Sequence, residues 1–267
     1  MFQNIGFIGT GTMGSAVALA VSKSGLAPHI HLSNHSPQKA EALAASIPGA
    51  HVSTNRQIAE ICDLIFLGVK PQMMADVLSD LQDILSGRSE PVTLVSMAAG
   101  LSCSQIRSFS GTDCPVIRMM PNTPAAIGMG VVQYCGLDTD PRQLQDFAGL
   151  IAPAGLVDMV EERLMDAASC VSGCGPAFAY LFIEALADGG VACGLPRDKA
   201  LSYAAQMLKG SAQMVLSTGD HPGKLKDAVC SPGGTTIQGV RALEQQGFRA
   251  AAMEAVIKAY EKTKSLG

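Results

Sequence analysis

The stretch Gly9-Thr10-Gly11-Thr12-Met13-Gly14 carries three glycines at GxGxxG spacing. The apolar run 5–9 before it reads as a strand, and the alanine-rich segment 15–23 after it reads as a helix. In that context each glycine has a physical task. Gly9 permits the tight turn out of the strand, Gly11 lets the backbone approach a pyrophosphate, and Gly14 lets the helix lie close to the strand. The amides of the helix start, at Thr12 and Met13, then face the anion. These residues predict a dinucleotide-binding βαβ unit at the head of the chain.

About 20 residues further on, a site selective for NAD places a carboxylate against the ribose hydroxyls. Here that position holds Asn34, within Ser33-Asn34-His35-Ser36. No carboxylate repels a 2′-phosphate, and Asn34 and Ser36 can donate hydrogen bonds to one. The expected cofactor is therefore NADP, with NAD possible because no arginine clamps the phosphate in this run.

Outward from this unit the pattern repeats. Strands are predicted at 29–33, 64–69, 92–96 and 116–120, and helices at 37–46, which opens on Pro37, and 73–85. The alternation implies a parallel sheet covered by helices on both faces. Open sheets of this kind hold ligands at the C-terminal strand ends. Two such ends are Val69-Lys70-Pro71 and Ser96-Met97-Ala98-Ala99-Gly100, where Ala98 and Ala99 are small enough for a nicotinamide to lie close. Arg118-Met119-Met120-Pro121-Asn122-Thr123-Pro124 is another, made stiff by two prolines.

After about residue 158 strand signals fade. Alanine, leucine and methionine fill 177–192, 197–217 and 249–265, with Pro196, Gly219, Pro222 and Pro232 between them. The expected architecture is α/β: an N-terminal parallel-sheet domain, 1–158, followed by an all-helical domain, 159–267. A helix apolar on most sides, such as 177–191, must be covered on all of them. In about 110 residues another subunit is the simplest cover, so a homodimer or larger homo-oligomer is expected through this half. Glu162 and Asp166, near the junction, read as solvated helix charges.

Composition excludes several classes. The 267 residues are 48% hydrophobic, which supports a sizeable core rather than disorder. A net charge of −4 leaves no basic stripe for nucleic acid. No uninterrupted apolar run reaches the ~18 residues of a membrane helix, and no signal-peptide pattern opens the chain, so a cytoplasmic protein is expected. The eight cysteines form no CxxC pair and no zinc-like spacing with histidine, so reduced structural thiols and no metal are expected.

Ser231-Pro232-Gly233-Gly234-Thr235-Thr236 is the second informative stretch. Ser231 reads as an N-cap and Pro232 as the first helical residue, with Gly233 and Gly234 in the first turn leaving amides uncovered. Bare amides at a helix start suit a small carboxylate, and Thr235 and Thr236 add hydroxyls.

The run LKDAVCSPGGTTIQGVRALE resembles the signature of the pyrroline-5-carboxylate reductases. FIGTGTMG, VKP at 69–71, RMMPNTP at 118–124 and SGCGPAF at 172–178 match that family in order and spacing. One departure is His35, where many members carry arginine. The resemblance spans essentially the whole chain. It implies NAD(P)H-dependent reduction of L-1-pyrroline-5-carboxylate to L-proline, and a Rossmann domain followed by a helical dimerisation domain. It also implies that the loop holding Ser231, Gly233, Gly234, Thr235 and Thr236 binds the substrate carboxylate. Thr236 matches a threonine near the ring nitrogen, and Asn55 an asparagine that contacts cofactor. Two other readings stay open: another two-domain reductase, of β-hydroxyacid dehydrogenase or imine reductase type, and a non-catalytic nucleotide-binding sensor. The first would place a catalytic lysine within 173–186, where none stands.

Overall fold

The computed structural model describes residues 2–265. Its eight strands are β1 (Asn4–Ile8), β2 (His29–Ser33), β3 (Ala50–Val52), β4 (Leu64–Leu67), β5 (Thr93–Ser96), β6 (Val116–Met120), β7 (Gly130–Leu137) and β8 (Gly155–Met159). Between them lie α1 (Thr12–Lys23), α2 (Pro37–Ser46), α3 (Asn55–Ile61), α4 (Met74–Ser79), α5 (Gln82–Gly87), α6 (Cys103–Ser110) and α7 (Pro141–Ile151). The remaining helices are α8 (Glu162–Ser172), α9 (Gly175–Ala192), α10 (Arg197–Thr218), α11 (Pro222–Ala228), α12 (Thr235–Gln245) and α13 (Phe248–Lys264).

The sheet runs β3-β2-β1-β4-β5-β6-β7-β8. From β1 the chain first builds outward through β2 and β3, then crosses to β4 on the other side. The crevice between β1 and β4 is thus the point where strand order reverses, the usual ligand position in such sheets. β3 through β6 pair in parallel. The expectation of a wholly parallel sheet needs one correction: β7 runs antiparallel to β6, with Met120 opposite Gln133 and Val116 opposite Leu137. Only nine residues separate the two strands, too few for the crossover that parallel pairing needs.

β4 and β5 are buried along their whole length, which is why LIFL carries no alternation. On one face Phe7 of β1 stacks on Phe66 of β4, with centroids 4.5 Å apart and planes 6° off parallel. Phe147 of α7 extends the group, 6.1 Å from Phe66 and 5.3 Å from Tyr134. The opposite face packs Ile8, Ile65, Leu67 and Leu94 against α3, α4 and α6.

The single helix expected over 73–85 is broken into α4 and α5. The break frees the Asp80 carbonyl, which accepts a hydrogen bond from Arg56 at 3.0 Å, while Leu81 turns into the core. Glu162 and Asp166 are half-buried and partnered rather than free helix charges. Asp166 pairs at 2.5 Å with the buried Arg118, and Lys264 lies 3.4 Å away. Glu162 accepts the Cys103 amide at 2.6 Å.

The chain divides into two compact units. The first runs through Cys174 and takes the chain back from Ala259; the second is Gly175–Lys258. The sequence limit at 158/159 follows the end of the strand signals. In the structure α8 belongs with the sheet, because its buried Met165, Ser169 and Cys170 pack there. In the second unit α9 and α10 pack around Ala187, Ala200 and Ala204, the only buried hydrophobic residues described there. Large apolar side chains stand outside, among them Phe178, Leu181, Tyr203 and Leu216, the last 75% exposed. Among the described residues, the stretch Glu162–Ala192, which holds α8 and α9, contains one 18-residue window of mean hydropathy 1.4, apolar enough by length and composition alone to cross a bilayer.

Two outcomes follow. Phe66→Ala removes the centre of the aromatic stack and should cost about 3–5 kcal/mol in urea unfolding. His31 donates or accepts at 3.1 Å with Ser53 Oγ, and burial, then His51, then His29, hold its pKa below the usual histidine value. As pH falls below about 6.5 the unfolded chain gains a proton that the folded chain refuses, so stability should decline through that window. His31→Gln should flatten this part of the pH dependence of the urea midpoint.

Candidate functional site

Three backbones meet at the end of β1. Gly9 has φ +96°, a left-handed conformation that favours glycine. A Cβ on Gly14 would lie 2.1 Å from the Gly9 carbonyl oxygen, and one on Gly68, just after β4, 2.3 Å from the same atom. No side chain fits at either place. The turn is held by Gly9 N–H donating to Ser33 O (2.9 Å), Gly68 N–H to Ile8 O (2.8 Å) and Ser15 Oγ to Thr10 O (3.0 Å). Gly11 caps α1 without any side-chain acceptor, and a Cβ there would meet nothing within 4 Å. The first amides of α1 therefore stand open toward solvent.

An open cleft of about 1070 Å³ lies at this turn. Of the residues expected from sequence, Gly9, Gly11, Asn34, Asn55, Val69 and Lys70 line it. Asn34 Oδ1 accepts the Thr10 amide at 3.1 Å, and its Nδ2 donates to Ser36 O at 3.2 Å, so it braces the glycine turn. Asn55 Oδ1 accepts from Ser33 Oγ at 2.6 Å. Thr12 and Met13 form the first turn of α1, and Gly14 lies buried behind it. Ser36 caps α2 with no side-chain cap bond, and Pro71 opens a short 3₁₀ turn. Ala98 is buried in the core, with its amide donating to Ser96 Oγ at 3.3 Å; Ala99 is half-buried beside it.

Sequence reading missed Gly68, whose only trace was a glycine closing an apolar run, and Arg56, which also lines the cleft. The Arg56 guanidinium is held by Asp83 at 2.8 Å and by the Asp80 carbonyl. Among the described residues no cysteine lines the cleft, and burial pushes the nearby core thiol of Cys62 up to about 12. The glycine turn, open amides and adjoining cleft fit a dinucleotide.

The second stretch lies in the second unit, in a register different from the expected one. Ser231 is not an N-cap, and Pro232, Gly233 and Gly234 precede the helix. They form a β-turn closed by Gly234 N–H donating to Ser231 O at 3.0 Å, with Gly233 at φ +70°. Pro-Gly at the centre of a turn is favoured where the second residue needs positive φ, and this outcompetes helix. Gly234 then caps α12, again with no side-chain acceptor, and α12 starts at Thr235. A Cβ on Gly234 would fall 2.4 Å from Ser231 Oγ. Thr235 and Thr236 are exposed at the first two helical positions.

Comparison with known proteins covers both units. Residues 162–266 match a family profile described as pyrroline-5-carboxylate reductase dimerisation, and residues 4–100 one described as NADP oxidoreductase, coenzyme F420-dependent. The chain is 41% identical to the pyrroline-5-carboxylate reductase of Escherichia coli K12, over 100% of this chain and 99% of that protein.

The chain belongs to the pyrroline-5-carboxylate reductase family.

Solved structures agree. The pyrroline carboxylate reductase of Plasmodium falciparum with NADP bound is similar at TM-score 0.85 and 32% identity, covering 99% of this chain and 98% of that one. The Coxiella burnetii pyrroline-5-carboxylate reductase reaches TM-score 0.89 at 31% identity, covering 99% and 98%. This family member thus joins a nicotinamide-dinucleotide turn in its first unit to the family's dimerisation segment. The turn can be tested by a pair of variants. Gly14→Ala must push α1 off Gly9 and should lower both thermal stability and nucleotide affinity. Gly11→Ala meets no neighbour, so it should melt as wild type yet bind NADPH at least ~10-fold more weakly by calorimetry, about 1.4 kcal/mol.

Proposed function

We propose that this chain reduces L-1-pyrroline-5-carboxylate to L-proline, with the substrate carboxylate held at the start of α12. The observation that carries the reading is that α12, like α1, is capped by a glycine and leaves its first amides without a side-chain acceptor. Reduced nicotinamide, when bound, would supply a hydride to the imine carbon, and the ring nitrogen would take up one proton from solvent. The chain's own part is position. The amides of Thr235 and Thr236 and the α12 dipole hold the carboxylate, and the Ser231, Gly233 and Gly234 turn keeps side chains out of its way. The Thr236 hydroxyl orients the ring nitrogen. A threonine is a poor acid, so it aligns the imine rather than supplying a free proton. Orientation of this sort contributes several kcal/mol when the reacting atoms lie within about 3–3.5 Å.

The cofactor-contacting set is Gly9, Gly11, Thr12, Met13, Gly14, Asn34, Ser36, Asn55, Val69, Lys70 and Pro71, with Ala98 and Ala99 for the nicotinamide end. NADPH is preferred over NADH, because Asn34 stands where an NAD-selective site would place a carboxylate. The segment 159–267 binds substrate and dimerises. The exposed apolar faces of α9 and α10 meet a second copy of the chain rather than lipid. Eight free cysteines suit the reducing cytoplasm.

The purified chain should oxidise NADPH on addition of pyrroline-5-carboxylate and form proline. Cofactor binding without turnover would mark a sensor and overturn the reading. Thr236→Ala should retain nucleotide affinity while kcat/KM drops by roughly one to two decades, the scale of one hydrogen bond at the reacting centre. Light scattering should show an oligomer; a monomer at every concentration would remove the dimer.

A further inference from the structure

Three groups far apart in sequence, and idle in the chemistry above, converge within the first unit. Cys103 is the first residue of α6, Cys135 lies on β7 opposite Arg118, and Glu162 opens α8. Their two sulfurs and a carboxylate oxygen all lie within 4.8 Å of one another. The Cys103 and Cys135 sulfurs are 4.0 Å apart. Two thiolates on one tetrahedral zinc, each at about 2.3 Å, stand about 3.8 Å apart. A disulfide would need about 2.05 Å. The observed spacing is close to the first and about twice the second.

The surroundings suit a cation. Both thiols are buried, whereas Glu162 is half-buried and reaches an open polar cavity of about 500 Å³. Through Glu162 the cluster adjoins solvent on that side. Glu162 accepts the Cys103 amide at 2.6 Å, which aims its carboxylate at the thiol pair. The neighbouring Arg118 is engaged by Asp166 at 2.5 Å, a carboxylate that Lys264 also approaches at 3.4 Å, so neither cation is paired with Glu162 there. Two sulfur ligands and one oxygen favour zinc-like ions over magnesium or calcium.

We propose that Cys103, Cys135 and Glu162 form a binding site for zinc or another thiophilic divalent cation, with water in the fourth position. The bound ion ties α6, β7 and α8 together. This holds whether or not the chain reduces pyrroline-5-carboxylate, because none of the three residues lines the nucleotide cleft.

Cobalt(II) tests it directly. The full chain, stripped of metal and kept reduced with a phosphine under anaerobic conditions, should take up one equivalent of Co²⁺. Binding should bring a thiolate-to-cobalt charge-transfer band and the visible bands of a tetrahedral ion, both abolished by Zn²⁺. Cys103→Ala and Cys135→Ala should each remove the charge-transfer band at one equivalent, or reduce it to half with weaker binding. Glu162→Gln should weaken Zn²⁺ by at least about 10-fold. Absence of the band in the wild type, or its survival unchanged in the Cys103→Ala/Cys135→Ala double variant, overturns the site. If the variants fail to fold, alkylation of the wild type decides. Zn²⁺ should protect Cys103 and Cys135, and protection confined to other cysteines refutes the proposal.

Discussion

The first unit is organised around one close approach. The Gly9 carbonyl lies so near the Cα of Gly14 and of Gly68 that a methyl group on either would overlap it. That contact lets α1 begin directly against the ends of β1 and β4, where the strand order changes sides. With α1 seated there, its first amides open on the cleft, and the β1–β4 register sets Phe7 opposite Phe66 in the aromatic stack. Sheet packing and nucleotide site are therefore two consequences of the same absence of side chains.

Five of the helix starts show two contrasting kinds of capping. α3, α6 and α7 close their first amides with Thr54, Ser102 and Asp140, each in a reciprocal capping box with a glutamine three residues on. α1 and α12 are capped by Gly11 and Gly234, which have nothing to offer. A self-capped helix start is satisfied by its own side chain. A glycine-capped one leaves donors and a positive dipole end for something else, and an anion is the natural match. The two helices assigned to ligands are of the second kind.

Much of this was legible in the sequence, and the gaps have local causes. The limits of β2, α2 and β6 agree with the structure because Pro37 and the apolar runs punctuate them clearly. β3 was missed because it is a three-residue edge strand with two exposed positions. β7 and β8 carry glycine at their first positions and were not among the strands predicted from sequence. The α12 register slipped because Ser-Pro suits an N-cap as well as a turn. Positive φ at Gly233 is what separates the two, and it does not show in residue type alone. Asp166 looked solvated on a helix rich in polar residues, but its partner Arg118 lies 48 residues earlier.

Glycine spacing, the alternation of strands and helices, the change to alanine-rich helices after 158 and the family signature around Pro232 were determined by sequence alone. Each rests on residues within a few positions of one another, where periodicity and steric rules act. Only the tertiary structure decided the antiparallel turn-back at β7, the Arg118–Asp166 pair, and the meeting of Cys103, Cys135 and Glu162. These depend on which strands lie side by side. That is set by burial of whole faces, and no short window of residues encodes it.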